Sequence, residues 1–481
     1  MANKYRPDPN QVLFNHDRAM AQMDENKLDA IVGATFTNSY YMSGVHTIYD
    51  DWPWVEPYQA AIVPRDDAKP PTLVTMTMFL PSLVGGVSTW MPNVWLYDWL
   101  AIDKTLEPPD TESDLVAEIG RFIGDRASGD VEKNLVDATV GAFKQLGLTK
   151  GRIGFDDLRL ANYIKEELPG IEIVDAFKII MDIRKARTPQ ELRMLSYSAR
   201  VNHLGLEAVI EAIRPGIKWS ELAYLFKETW IKHGGSSVSD KGLFWGGAFK
   251  GKYIPDAFYL PDNDFVVEEG KYYLIEGEGQ VQQYHADCNR TVFLGEPPKD
   301  YLGGVDAIMR AYQAIEKPLR PGVSTAEVYR AALGVIFEHG IPFPRKTAVA
   351  THGVGLEFVE WYGKYPTQRA IPESYILEEG VTIGMDVLYY GHTLGTFHME
   401  NGLMIAADGP RSFYAPPNTE RVLPAGLIVK NGNGTETYCP SDVSLFMEKG
   451  IDRDLVMQES PVPSWCHPEA NGREMPLAAT G

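Results

Sequence analysis

At 481 residues the chain is longer than one hydrophobic core commonly serves, so two domains are expected. A net charge of −20 argues against nucleic acid or an anionic membrane as the main partner; it suits solubility and is compatible with a cationic substrate. The three cysteines, Cys288, Cys439 and Cys466, stand in no metal-binding spacing and are too few for a disulfide framework, which fits a reducing compartment.

The N-terminal segment Met1 to Asn10 is polar and lacks the apolar core of a signal peptide, and no run of about 18 apolar residues follows anywhere. The expectation is a soluble, cytoplasmic protein. Short buried strands are predicted at Leu28–Val32, Ala60–Val63 and Arg152–Phe155, and helical periodicity at Leu115–Ile123 and Leu158–Leu168. Between the first two strands, Tyr49 to Tyr58 is dense in aromatic and acidic residues, with Trp52, Trp54 and Tyr58. It reads either as a packed loop or as a wall that holds a small cation through its rings. A polar break at Ile183–Thr188 precedes Pro189, which suits the first turn of a long amphipathic helix with Thr188 as its N-cap. The domains are therefore placed at 1–185 and 186–440, with a C-terminal extension at 441–481.

The second half contains an internal repeat. Arg214-Pro215-Gly216 followed by Ser220-Glu221 is matched by Arg320-Pro321-Gly322 followed by Thr325-Ala326-Glu327, each a tight turn and a helix start. Glu268-Glu269-Gly270 then leads into an apolar strand that ends on Glu276, and Glu378-Glu379-Gly380 into one that reaches Asp386. A unit used twice brings its two strand-borne acids to a common interface.

Other ligand-capable residues surround these two acids. Asp287 returns from Glu276 on a hairpin, His352 sits among glycines, and Glu400 is predicted to pair near Asp386. Taken singly, each acid reads as a surface residue. In the joint order acid, acid, histidine, acid, acid they suit one or two divalent ions such as Mn, Fe, Co or Zn, which lower the pKa of a bound water. Glu278, two residues beyond Glu276, is a candidate extra ligand.

On these residues the chain resembles metallopeptidase family M24, which includes methionine aminopeptidase, prolidase, aminopeptidase P, creatinase and related non-peptidases. Tyr284-His285-Ala286-Asp287-Cys288-Asn289-Arg290-Thr291 is similar to its Y-x-x-D-x-x-R-T hairpin, and His352-Gly353-Val354-Gly355 to its H-G-x-G block. Arg184 to Glu191 is similar to its inter-domain stretch, with Arg187 in place of a lysine. The resemblance implies a creatinase-like α/β N-terminal domain followed by an α+β pseudo-symmetric "pita-bread" catalytic domain. It also implies Glu276, Asp287, His352, Asp386 and Glu400 as metal ligands, and a homodimer whose N-terminal domain reaches the partner's site.

Two departures bear on activity. Relative to the family, Glu276 and Asp386 exchange an aspartate and a glutamate. The two further histidines of the peptidases are replaced, one by Phe258 or Tyr259 and the other by Val359. The first expectation is thus a metal-dependent hydrolase of a small C–N bond, peptide or amide-like, with Glu360 orienting the water and Tyr259 or His398 as donor. The second is a metal-assisted lyase of a small onium or carboxylate substrate. In the family, the enzyme that splits dimethylsulfoniopropionate shares the aromatic N-terminal stretch and a Glu-Trp pair like Glu360-Trp361, although its extra aspartate is here Phe358 or Val359. Trp361 joins Trp52, Trp54 and Tyr58 as a candidate substrate contact. The third expectation is a catalytically silent binding protein on the same fold.

Overall fold

The computed structural model describes residues 5–8, 10–47, 56–85, 89–98, 114–235, 243–245, 264–342, 347–360, 362, 374–389, 396–445, 447 and 449–452. The chain divides into two units, Met1–Gln190 and Glu191–Gly481. The division falls in the first turn of the long helix that begins at Pro189.

The N-terminal unit is a seven-stranded sheet: β1 (Ala30–Gly33), β2 (Ala60–Pro64), β3 (Thr72–Met76), β4 (Asn93–Tyr97), β5 (Ala127–Glu132), β6 (Gly151–Phe155) and β7 (Ile171–Asp175), in the order β5-β4-β3-β2-β1-β6-β7. Only β2 runs against its neighbours; the other pairings are parallel. Among the described residues, seven α-helices accompany the strands: α1 (His16–Asn26), α2 (Phe36–Ser43), α3 (Leu80–Gly85), α4 (Asp114–Arg126), α5 (Leu135–Leu146), α6 (Leu158–Glu167) and α7 (Phe177–Lys185). Val32, Ile62, Val74, Phe143, Phe155 and Ile164 meet in one buried cluster. These strands read as continuous apolar runs because helices cover the sheet.

The C-terminal unit starts with α8 (Pro189–Ala212) and α9 (Trp219–Lys232). Strands β8 (Leu243–Trp245), β9 (Tyr272–Gly277), β10 (Gly279–Val281), β11 (Tyr284–Ala286) and β12 (Cys288–Leu294) follow, then α10 (Lys299–Ile315) and α11 (Thr325–Glu338). The unit continues through β13 (Thr347–Gly353), β14 (Thr382–Tyr389), β15 (Phe397–Ala406), β16 (Gly409–Ser412), β17 (Leu427–Asn431) and β18 (Gly434–Tyr438). Six of these strands lie in the order β8-β9-β12-β15-β14-β13, with β12 and β15 antiparallel at the centre. Each half contributes a helix pair and a hairpin, α8–α9 with β9–β12 and α10–α11 with β14–β15.

The repeat extends to individual hydrogen bonds. Gly216 N donates to Val267 O (2.8 Å) and Gly322 N to Leu377 O (2.9 Å). Gly270 N donates to Leu294 O (2.7 Å) and Gly380 N to Ile405 O (2.9 Å). The turn glycines have φ of 91° and 85° in one matched pair and 75° and 81° in the other, a region costly for residues with a Cβ.

Each helix pair sets the direction of an acid. Tyr273 stacks on Trp219 of α9 (6.1 Å), which leaves Glu276, three residues on, to the opposite face of β9. On β14, Ile383, Met385 and Val387 pack in the cluster formed with α10 and α11, which leaves Asp386 to the other face. The described part of the expected extension is continuous with this unit: Leu445 and Met447 enter the same cluster, and Arg310 pairs with Asp442 (2.7 Å). Among the described residues no helix is long and apolar enough to cross a membrane.

Candidate metal centre

The two hairpins place their acids by register. Asp386 lies opposite Glu400 across β14–β15, and Glu276 opposite Asn289 across β9–β12. The central pairing of Asn289 with Glu400 joins the two sets. Because alternate residues of a strand share a face, His398 accompanies Glu400, and Asp287 precedes Asn289 by the same step of two. His352 arrives from β13, opposite Gly384 of β14.

Six side chains converge: Glu276, Asp287, His352, Asp386, His398 and Glu400, each less than a tenth exposed. His352 Nε2 is 3.4 Å from Asp287 Oδ2, 3.4 Å from Asp386 Oδ2 and 3.4 Å from Glu400 Oε1. Four ligands at 2.0–2.2 Å around a tetrahedral cation stand ~3.4 Å apart. On the other side, His398 Nε2 is 2.7 Å from Asp386 Oδ1, and His398 Nδ1 is 3.6 Å from Glu276 Oε2. Asn289 Nδ2 donates to Glu276 Oε2 (3.1 Å). Two sets of ligand-capable atoms lie within 4.8 Å of one another, Asp287–His352–Glu400 and Glu276–His398–Glu400. Asp386 touches the imidazole of each, whereas Glu278, buried one residue beyond β9, is in neither.

The electrostatics call for positive charge. Two carboxylates 4.8 Å apart repel by roughly 3.5 kcal/mol at an effective dielectric of 20, and even two imidazolium rings would not offset four carboxylates. Burial, reinforced by Asp287 and Asp386 against the pull of His398, pushes Glu276 up to about 8. Burial and then Glu400 drive Asp287 well above the carboxylate range, and burial with Asp386 and Glu276 does the same to Glu400. Asp386 is the exception: burial would raise it, but its contacts with His352 and His398 hold it below its ordinary range. Burial opposes charge on His352 as well, yet Asp386 and Asp287 push it up to about 9. Both oxygens of Asp287 are buried with no hydrogen-bond partner among the described residues, and Asp287 and Glu400 can bond to each other only by sharing a proton. A divalent cation satisfies both the orphaned oxygens and the excess charge, so the donor set fits such a group.

Close packing holds the cluster. A Cβ on Gly384 would stand 2.6 Å from His352 Cε1 and 2.7 Å from Asp287 Oδ2, so only glycine leaves room there. Arg290, fully buried, donates to Glu400 O (2.7 Å) and Asn401 Oδ1 (3.1 Å), tying β12 to β15 directly beneath the acids.

Residues 193–407 match the model of metallopeptidase family M24. Over these residues the C-terminal unit is similar to family M24. Among related sequences, the ectoine hydrolase of Halomonas elongata is 25% identical over 261 residues, which span 52% of this chain and 64% of that protein. A Xaa-Pro dipeptidase of Pyrococcus furiosus is 22% identical over 414 residues, 83% of this chain and 97% of the relative. Among solved structures, the prolidase of Pyrococcus horikoshii OT3 superposes with a TM-score of 0.60 at 19% identity, covering 85% of this chain and 99% of that one. The likeness therefore extends through both units, an α/β N-terminal domain followed by the M24 catalytic fold.

Of the other residues singled out in the sequence, Glu360 is fully buried. Its backbone pairs with Gly353 (2.8 Å in both directions), next to His352, and its Oε2 accepts from the Tyr362 hydroxyl (2.8 Å). Phe358 of the same segment lies against the rings of His352 (6.4 Å) and His285 (6.1 Å). Trp52, Trp54, Tyr259 and Trp361 lie outside the described residues. Tyr58 is 3% exposed in the core of the N-terminal sheet, its hydroxyl 2.8 Å from Thr47 Oγ1; it is a packed side chain there rather than part of an open wall. Sequence reasoning overlooked Asn289 and Gly384, whose roles emerge only from strand register. It also read His398 as a proton donor, whereas the structure places that ring among the ligand-capable groups.

Proposed function

We propose that the protein is a metal-dependent hydrolase that cleaves a C–N bond, peptide or amide-like, in a small substrate. The observation that carries this reading is the buried Asp287–His352–Glu400 grouping, with its 3.4 Å spacings and the unpartnered oxygens of Asp287. Glu276, Asp287, His352, Asp386 and Glu400 would hold one or two divalent ions. A bound divalent ion supplies Lewis acidity and a water of lowered pKa.

The chain's own groups do the rest. Glu360, oriented by Tyr362, takes up the proton of the attacking water, and burial beside apolar rings such as Phe358 keeps bulk water out. The positions where the sequence resemblance leads one to expect two peptidase histidines carry Tyr259 or Phe258 and Val359, which favours a substrate other than an ordinary Xaa-Pro dipeptide. The names of the relatives support hydrolysis, and the elimination alternative draws no support from them.

The test is turnover of a panel of dipeptides, cyclic and linear amides and amidines by protein reconstituted with Mn²⁺, Zn²⁺ or Co²⁺, with products identified by mass spectrometry. Products carrying the elements of water, together with loss of both turnover and bound cation in Asp287→Ala, are expected. An unsaturated product, or cation binding that is untouched in Asp287→Ala, would overturn the reading.

A further inference from the structure

The two hairpins are alike in backbone and unlike in content. The step-of-two pair on the return strand is Asp287 and Asn289 in the first hairpin and His398 and Glu400 in the second. His398 thus occupies the place that Asp287 holds in the other copy, and Asp287 stands among the atoms grouped around His352. Asp386 Oδ1 lies 2.7 Å from His398 Nε2, and a neutral ring that donates to the carboxylate from Nε2 keeps its lone pair on Nδ1. Nδ1 faces Glu276 Oε2 at 3.6 Å, close to the ~3.4 Å expected of two ligands on one cation. A carboxylate on the far nitrogen is the usual way a protein fixes the tautomer and the direction of a metal-binding imidazole. A general acid would need an N–H directed at substrate, and that of His398 is already directed at Asp386. The shorter side chain at 386 fits this arrangement: Asp386 reaches His352 with one oxygen and His398 with the other.

We propose that His398 is itself a metal ligand, through Nδ1, so that the centre holds two cations with one imidazole each. His352, Asp287 and Asp386 Oδ2 would bind the first cation, His398 and Glu276 the second, with Glu400 shared between them and Asp386 Oδ1 held on the far nitrogen of His398. This rests on the metal-centre reading above and adds to it an extra nitrogen donor. Two imidazoles shift the site's preference toward Zn²⁺, Co²⁺ or Fe²⁺ and away from Mn²⁺.

The experiment uses the full chain, stripped with chelator and reloaded with Co²⁺ or Zn²⁺. Binding stoichiometry comes from titration, and X-ray absorption at the cobalt edge counts imidazoles per ion. Two ions and two imidazoles per chain are expected in the unaltered protein, a measurement that depends on no variant folding. His398→Ala should keep one site at its original affinity and weaken the other by ~100-fold or more, beyond what loss of a mere orienting partner costs. His352→Ala should do the converse. Two bound cobalt ions sharing a single imidazole, or one ion only, would overturn the proposal and leave the metal-centre reading standing. No bound ion at all would overturn both.

Discussion

Replacing Gly384 by alanine tests whether the cluster is held in one geometry. The added methyl would lie 2.6 Å from His352 Cε1, 2.8 Å from its Nε2 and 2.7 Å from Asp287 Oδ2. Carbon atoms rest at about 3.5 Å, so the ring would have to retreat by roughly 0.9 Å. Metal–ligand distances tolerate about 0.2 Å, so the ring cannot retreat that far and still bind. If the cation has to restore the ring against an overpacking strain of ~1–3 kcal/mol, affinity falls by roughly 5- to 150-fold. Competition for Zn²⁺ against a metallochromic chelator reads this directly. Gly334→Ala is the control: in the middle of α11, a Cβ there meets nothing within 4 Å. It should leave affinity unchanged and stabilise the fold by about 0.4–1 kcal/mol. Wild-type affinity in Gly384→Ala with unchanged thermal stability would refute the argument, because it would mean that His352 and Asp287 move freely.

The stripped protein should lose stability as pH rises from about 4.5 to 8. Glu276, Asp287 and Glu400 have raised pKa values, so the folded state keeps protons that the unfolded chain releases in that window; His352, raised to about 9, adds stability below its unfolded value that is gone above 9. Denaturant midpoints between pH 5 and 9 should fall in chelator and flatten in excess Zn²⁺; a midpoint that rises over this range in chelator would contradict the charge argument. Glu360→Gln should lower kcat by roughly 10²- to 10⁴-fold with the bound cation count unchanged, as read by steady-state kinetics and elemental analysis. Full activity in that variant would remove Glu360 from the mechanism.

What could be read from the chain depended on whether a residue type answers to one local requirement. Gly216, Gly322, Gly270 and Gly380 all have positive φ, so a turn that demands glycine prints itself in the sequence each time it is used. The two acids six residues beyond the second turn followed, because the length of a strand carries the side chain to the same face in both copies. Glu278 shares parity with Glu276, but β9 ends at Gly277 and the chain turns into β10 before that parity can count. Tyr58 shows another limit: a run of aromatic residues looks the same whether it lines a wall or, like Tyr58 between Thr47 and Phe79, fills a core. The C-terminal extension is expected to begin at residue 441, yet Leu445 and Met447 pack in the core with residues more than a hundred positions earlier, a long-range contact that no local pattern announces.

A duplicated scaffold explains why these groups meet, but not why the centre is asymmetric. Perfect symmetry would give the same pair of side chains on β12 and β15, and the same acid on β9 and β14. Instead the first hairpin carries Glu276, Asp287 and Asn289, and the second carries Asp386, His398 and Glu400. The first therefore adds an amide that fixes Glu276, and the second an imidazole that engages Asp386. Two cation positions built this way, as proposed above, would differ in donor set although their backbones match. An unequal pair can divide labour, one position favouring retention and the other exchange with solvent or substrate. The glutamate-for-aspartate exchange between 276 and 386 then has a local cause: the side chain at 386 must be short enough to meet the His398 ring at 2.7 Å from its place opposite Glu400, and the one opposite Asn289 long enough to reach the Asn289 amide and His398 Nδ1.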